Sequence, residues 1–475
     1  MLDFKKYGDA AAPLKFFEEF SKIPHGSGNT SQIADYLCDF AEKRGLYYRR
    51  DEACNVIIRK SATPGYENRP TVIFQGHTDM VAEKIPGSGI DMDADGLDLF
   101  IDGDFLKAHD TTLGGDDGVA IAYALAVLDS DTIPHPEFEA IFTSDEEIGL
   151  IGAAKLDTSD VKGRMLINID SDVEGIFTAG CAGGVRSDIS MPVTYEKNTR
   201  PHAYRVTVSG FKGGHSGIEI DKGRYNAIKF FGEILNCIFD INIASVSAGV
   251  ADNAIPRECE AVICADSDFP EKLKAHFEIR RKKYEDIEPD VSLKLEEVTP
   301  PETALTEGST ADLISILVVV PTGVIAFSKS LKGLVETSLN LGILRLSDKC
   351  ADISFSVRSA KGEEKTRVCE NLRKIANDFG ASYGERGAYP AWEYREQSHL
   401  RDVMVSLYEK MYGKSPEVVI IHAGLECGLF SDKIPGLDCV SIGPDNFDIH
   451  TTEERLSLSS FARVWDYLRA VLKNI

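Results

Sequence analysis

Apolar positions in the first part of the chain switch between two spacings. Residues 16–20 and 33–40 carry them at helical spacing, and a long helical pattern, GVAIAYALAVL, starts at Gly118. Short runs of strand type lie around these: 55–58, TVIFQ at 71–75, FEAIFTS at 138–144 and MLINID at 165–170, with GLIGAAKL at 149–156 reading as helix. Strands alternating with helices predict an α/β unit with a mostly parallel sheet covered on both faces. The pattern changes in the middle. HAYRVTVSGF at 202–211 alternates apolar and polar residues, as a half-exposed antiparallel strand does. The helical RYNAIKFFGEILNCI, the run AVICA, a charged helix over 270–285 and VSLKLEEV follow it. After Pro300 and Pro301, residues 335–342, ADISFSVRSA at 351–360, a helix over 361–378 and ASYGERGAYPAWEY complete an α+β pattern. The last stretch returns to α/β, with a helix over 398–412, EVVIIHAG, DCVSIGPDN and an amphipathic helix from Leu458. Its apolar stripe of Phe461, Trp465, Leu468 and Leu472 reads as core packing. The expectation is therefore a discontinuous α/β domain, residues 1–184 and 396–475, with an α+β domain, 185–395, inserted into it.

Composition narrows the classes. Against 76 Asp and Glu the chain has 52 Lys and Arg, a net charge of -24, which argues against binding a nucleic-acid backbone. The longest apolar run, 119–128, is too short for a membrane span, which needs about 20 residues. The N-terminal stretch shows no apolar region of the secretory type. Ten cysteines are scattered without a C-x-x-C pair, which reads as reduced thiols in a cytoplasmic protein.

The informative polar residues fall at strand ends. His77 and Asp79 follow TVIFQ, Glu146 and Glu147 follow FEAIFTS, Asp170 ends MLINID, and His450 lies just beyond DCVSIGPDN. Asp116 and Asp117 open the helix after the turn LGG. Ligands of open parallel sheets bind at the carboxyl ends of strands. So many acids in one place repel each other unless cations sit among them. One His and one carboxylate per ion, with a further carboxylate shared, describes a two-metal site whose ions lie about 3.5–4 Å apart. Imidazole with carboxylate suits zinc, with manganese or cobalt as alternatives. Asp79, two residues after His77, is spaced to orient its ring, and the adjacent acids 146 and 147 can divide the tasks of ligand and general base.

These residues carry a resemblance. GHTDMV at 76–81, TTLGGDDGVAIA at 111–122, SDEEIGLIGA at 144–153, NIDSD at 168–172, GGHSGIEI at 213–220, NAIPRE at 253–258 and HAGLECGLF at 422–430 together resemble the aminoacyl-histidine dipeptidases, or cytosol non-specific dipeptidases. That branch belongs to the dizinc metallopeptidases that include carnosinase and aminoacylase. The likeness runs from about Pro13 to the C-terminus with the motif order intact. GHTDMV and DEEIG indicate the broad group, whereas GGHSGIEI and HAGLECG narrow it to the dipeptidases. The resemblance implies a zinc-peptidase-like catalytic domain and an inserted lid or dimerisation domain. It implies His77 and Asp170 on one metal, Glu147 and His450 on the other, and Asp116 bridging them. Glu146 becomes the general base, Asp79 the partner of His77, and His215 the donor to the oxyanion, in cis or in trans of a homodimer. Asn253, Arg358, Gly424 and Glu426 fall at substrate-binding positions, Arg358 being suited to a terminal carboxylate. The implied substrates are dipeptides of broad specificity, Xaa-His included. Asp110 departs from the pattern, standing where glycine is expected, and TTEERL follows His450 in place of a more usual Ser-Pro variant.

Other readings compete. An N-acyl amino acid deacylase or a carboxypeptidase would use the same centre, and a non-catalytic binding protein could keep the scaffold. No metal or base position is lost, which weighs against the last. DMDADGLDLFID at 91–102 imitates a calcium loop, but Asp102 replaces its final Glu, and it reads as a solvated loop. GHSGI at 214–218 misses the spacing of a nucleophile elbow, so Ser216 is not read as a nucleophile.

Overall fold

A computed structural model of the chain describes residues 2–329 and 333–475. It divides into two compact units, one of residues 1–181, 394–421 and 425–475 and another of 182–393 and 422–424.

The first unit is built on an eight-stranded sheet. Its order is Tyr47–Arg50, Val56–Lys60, Phe138–Thr143, Val72–His77, Met165–Asn168, Asp438–Ser441, Ile176–Cys181 and Glu417–Ile421. Val72–His77 pairs in parallel with both Phe138–Thr143 and Met165–Asn168. Asp438–Ser441 pairs in parallel with Met165–Asn168, and Glu417–Ile421 with Ile176–Cys181. The strands at 47–50 and 56–60 join antiparallel at one edge. The central strands are buried along their whole length, as a sheet covered on both faces requires. Helix Gly115–Asp129 is apolar all round and buried, in line with a central position. Phe17 and Phe20 of helix Ala11–Phe20 close on it at Gly118, and Tyr123 stacks on Trp465 and donates to the Phe461 carbonyl. The terminal helix Leu458–Asn474 buries Phe461, Trp465, Leu468 and Leu472, the stripe read from the sequence. Lys60 Nζ donates to the carbonyls of Val127, Leu128 and Ser130, which satisfies the open end of helix Gly115–Asp129.

The second unit holds a nine-stranded sheet in which every pairing is antiparallel. Its apolar core joins that sheet to helices Ala227–Leu235, Phe269–Tyr284, Glu307–Val319 and Gly362–Asp378. The sequence pattern does not define the helix Glu307–Val319. Its apolar run ends in Leu-Val-Val-Val, which suits a strand as well as a helix. Thr306 caps it, its hydroxyl accepting from the Ser309 amide.

Candidate metal centre

Sheet register brings the first ligands together. His77 pairs with Thr143 and Gln75 with Asn168, so the residues just past each strand emerge at one edge. Gly76 is required there. A Cβ on it would lie 2.2 Å from both Asp117 Oδ2 and the Ala120 side chain. The close approach lets the His77 amide donate to Asp117 Oδ2 at 3.2 Å and seats Asp116 opposite the His77 ring. Asp110 has φ +63°, which explains the glycine expected at that place, because aspartate is among the residues that tolerate the left-handed region.

Asp116 lies between two imidazoles. Its Oδ1 is 3.0 Å from His77 Nε2 and its Oδ2 is 3.2 Å from His450 Nε2. Glu147 Oε1 lies 2.8 Å from His450 Nε2, and Asp170 Oδ1 4.0 Å from His77 Nε2. Among the described residues three groups place ligand atoms within 4.8 Å of one another: His77, Asp116 and Asp170; Asp116, Glu147 and His450; and His77, Glu146 and Glu147. Asp170 Oδ2 is buried without a hydrogen-bond partner, and the buried Glu147 Oε1 has the His450 ring beside it. An orphaned carboxylate oxygen among further carboxylates and two imidazoles is a donor set that divalent cations would satisfy.

Asp79 differs in detail from the expected partner of His77. The nearest group to His77 Nδ1 is the main-chain carbonyl of Asp79, at 2.9 Å, with the carboxylate at 3.5 Å. The carboxylate instead accepts from the amides of Glu146 (2.9 Å) and Glu147 (3.3 Å) and from the Ser27 hydroxyl (2.8 Å). It therefore fixes the turn that presents both glutamates. Ser27 belongs to a loop with no sequence signal of its own.

Burial pushes the Glu146 carboxyl up to about 8, with the neighbouring Glu426, Glu147 and Asp116 adding repulsion against the pull of His77. Burial and the adjacent Asp116 and Asp117 hold Asp170 well above the usual carboxylate range. His450 is raised to about 10 by its hydrogen bonds to Asp116 and Glu147. Burial opposes the same effect at His77, but hydrogen bonds to Asp116 and Asp79 prevail and raise it. Asp116 is opposed by burial too, yet its bonds to the two histidines hold it low.

A prediction follows for the metal-free chain. Where the folded pKa exceeds the unfolded one, the fold binds the proton more tightly. For Glu146 that stability is full below the ordinary carboxylate range and is lost as pH rises toward about 8. For the histidines it is full below about pH 6.5 and lost as pH rises, through about 10 for His450. Asp116 acts oppositely, but only at acid pH. The melting temperature of chelated protein should fall between about pH 6 and pH 9, and divalent ions should restore it. A chelated chain that grows more stable over that range would contradict the expectation.

Glu426 is wholly buried. Its Oε2 accepts from Gln75 Nε2 and Thr143 Oγ1, each at 2.6 Å, so it faces the sheet rather than solvent. Burial raises its carboxyl to about 7.

The second unit gathers the remaining residues read from the sequence. The short pair Gly214–His215 with Ala254–Ile255 sets His215 beside Asn253, and the Ser216 amide donates to the Asn253 carbonyl at 2.8 Å. Asn340 Nδ2 donates to the carbonyls of Asp252 and Ala254, which holds that loop. The amides of Gly217 and Ile218 donate to His215 Nδ1 at 3.2 and 3.3 Å, so the ring proton belongs on Nε2. Burial and the Arg358 charge lower the His215 pKa, which keeps the ring neutral. Arg358 donates to the Tyr389 hydroxyl at 3.1 Å and leaves its buried Nε without a partner. Gly424 backs onto the Tyr389 ring. His422, which the sequence reading passed over inside HAGLECGLF, shares a 2.7 Å hydrogen bond with Ser338 and is held down to about 4 by burial and by Arg358.

Fold and centre together define a metallopeptidase type, and the comparisons agree: the chain belongs to the peptidase family M20/M25/M40, whose pattern matches residues 73–474. It is 36% identical to the cytosol non-specific dipeptidase of Escherichia coli K12 over 97% of this chain and 96% of that protein. It is similar in structure to the aminoacylhistidine dipeptidase of Vibrio alginolyticus, with a TM-score of 0.92 and 34% identity over 98% of this chain and 96% of that one. The aminopeptidase PepT of Bacillus cereus shares the fold alone, with a TM-score of 0.57 at 16% identity over 98% of each chain.

Proposed function

We propose that this chain is a metal-dependent dipeptidase of broad specificity, Xaa-His peptides included. The observation that carries the reading is Asp116, set between His77 and His450 at 3.0 and 3.2 Å with a carboxylate beside each ring. His77 and Asp170 would hold one divalent ion and Glu147 and His450 a second, with Asp116 shared. Zinc suits the donors best, with manganese or cobalt as alternatives. Bound there, the ions supply Lewis acidity that polarises the scissile carbonyl and acidifies water.

The side chains do the rest. Glu146 takes the proton from the attacking water and returns it to the leaving amine. His215 offers its Nε2–H, as a neutral donor, to the oxyanion that develops on the carbonyl carbon's oxygen. Arg358 grips the substrate's C-terminal carboxylate, with Asn253 and Gly424 lining the same subsite. Asp79 orients the Glu146 turn. Glu426, buried against the sheet, supports the centre from below. We assign residues 185–395 to a lid or dimerisation role. The similarity to a cytosol dipeptidase supports a cytoplasmic setting.

Ala-His, Leu-Gly, N-acetyl-Ala-His and a tetrapeptide, offered to chelated protein with zinc, manganese or cobalt restored, test the reading. Cleavage of the free dipeptides alone, and only with metal, is expected. Preference for the acetylated or the longer peptide would move the chain to a deacylase or carboxypeptidase. Inactivity with every ion would defeat the enzymatic reading.

A further inference from the structure

Glu454, four residues after His450, lies against the loop that carries Asp116. Its Oε2 accepts from the amides of Leu113 (2.7 Å) and Gly114 (3.0 Å). Its Oε1 accepts from Gly115 (2.8 Å) and, at greater length, Asp116 (3.4 Å). Asn446 Nδ2 adds a further donor to Oε1 at 3.2 Å. The residue is 3% exposed, so this is a buried cradle filled by a side chain of the protein itself. These amides open helix Gly115–Asp129, whose N-cap Gly114 has no side chain to offer. Glu454 satisfies them from a segment more than three hundred residues away, and places negative charge where the helix dipole favours it.

The same segment carries His450. The pair Asn446–Phe447 with Arg455–Ser457 closes it into a hairpin. Within the hairpin both Asp448 and His450 adopt left-handed backbone, with φ of +53° and +62°. Aspartate and histidine are among the non-glycine residues that tolerate that region. The two segments meet closely, since a Cβ on Gly115 would lie 2.8 Å from Asn446 Nδ2. One carboxylate thus fastens the Asp116 loop to the base of the His450 hairpin.

We propose that Glu454 is a positioning residue that sets Asp116 against His450 and thereby the affinity of the ion shared by Asp116, Glu147 and His450. It touches neither substrate nor ion. The inference rests on the two-ion reading above. A glutamine at 454 keeps the shape but turns an NH2 group toward amides that need an acceptor. The loop must then draw back, and the 3.2 Å separation of Asp116 Oδ2 from His450 Nε2 loses its anchor.

The test is a titration of chelated wild type and Glu454→Gln with zinc and with cobalt, against a chromophoric chelator, with thermal unfolding of the same metal-free samples. Wild type should bind two ions. Glu454→Gln should still unfold cooperatively, bind the ion of Asp116, Glu147 and His450 about 10- to 100-fold more weakly, and weaken the His77 and Asp170 ion, which shares Asp116, by a smaller factor, in the range of residues that orient ligands. The cobalt absorption of the weakened site should change, and Glu454→Asp should fall between the two proteins. Equal affinities in variant and wild type would overturn the proposal. Loss of cooperative unfolding in the metal-free variant would also overturn it, because Glu454 would then hold the fold rather than the ligand spacing. A wild type that binds no ion pair would defeat the two-ion reading itself.

Discussion

Glu146→Gln should keep two bound ions and lose turnover by roughly 10²- to 10⁴-fold, the usual contribution of a positioned general base. Glu146 and Glu147 sit on one turn, their amides held by the two carboxylate oxygens of Asp79. They are not equivalent. Glu147 reaches His450 at 2.8 Å, within the group that contains Asp116. Glu146 shares a group only with His77 and Glu147, and burial holds its carboxyl near 8 in the absence of cations. Cations close by would draw that value down toward neutrality, where a base both accepts and returns a proton effectively. Glutamine preserves volume and hydrogen-bonding shape but cannot take the proton. Metal analysis beside steady-state kinetics separates the two roles. An active variant that had lost an ion would mean that the roles of 146 and 147 are exchanged.

Much of this was legible in the chain because strand ends announce themselves. The apolar runs before His77, Glu146 and Asp170 define central strands, and parallel pairing carries the residues after them to one edge. The terminal helix was legible for the same reason, since four apolar residues at helical spacing have no other use in a long polar segment. What stayed hidden depends on main-chain groups or on distant segments. No pattern shows that Asp79 meets His77 through its carbonyl while its carboxylate holds the following turn. Nor does TTEERL reveal that its second glutamate caps a helix that starts at Gly115. Helix Glu307–Val319 was hidden differently, by a β-branched end whose helical state is decided by packing of Leu313, Ile316 and Leu317 into the second core.

Asp116→Asn should impair both ions together, by at least about 100-fold each, and abolish measurable turnover. Among the described residues, Asp116 is the one carboxylate whose two oxygens face different imidazoles, His77 at 3.0 Å and His450 at 3.2 Å. Asparagine leaves one oxygen and puts an NH2 group opposite the other ring, so one side loses its anionic ligand and the other sees less charge. The remaining acids cannot compensate. Asp170 belongs to the His77 group, and Glu147 shares one group with His77 and another with His450, but no single group joins it to both rings. The contrast with His450→Ala decides the matter, since that change removes a ligand from one group only and should leave the His77 ion in place. It also separates a bridging acid from a general loss of negative charge, which both ions would feel more weakly and in proportion to distance. If asparagine at 116 weakens one ion and spares the other, Asp116 is a terminal ligand, and the centre is two neighbouring sites rather than one joined through a shared carboxylate.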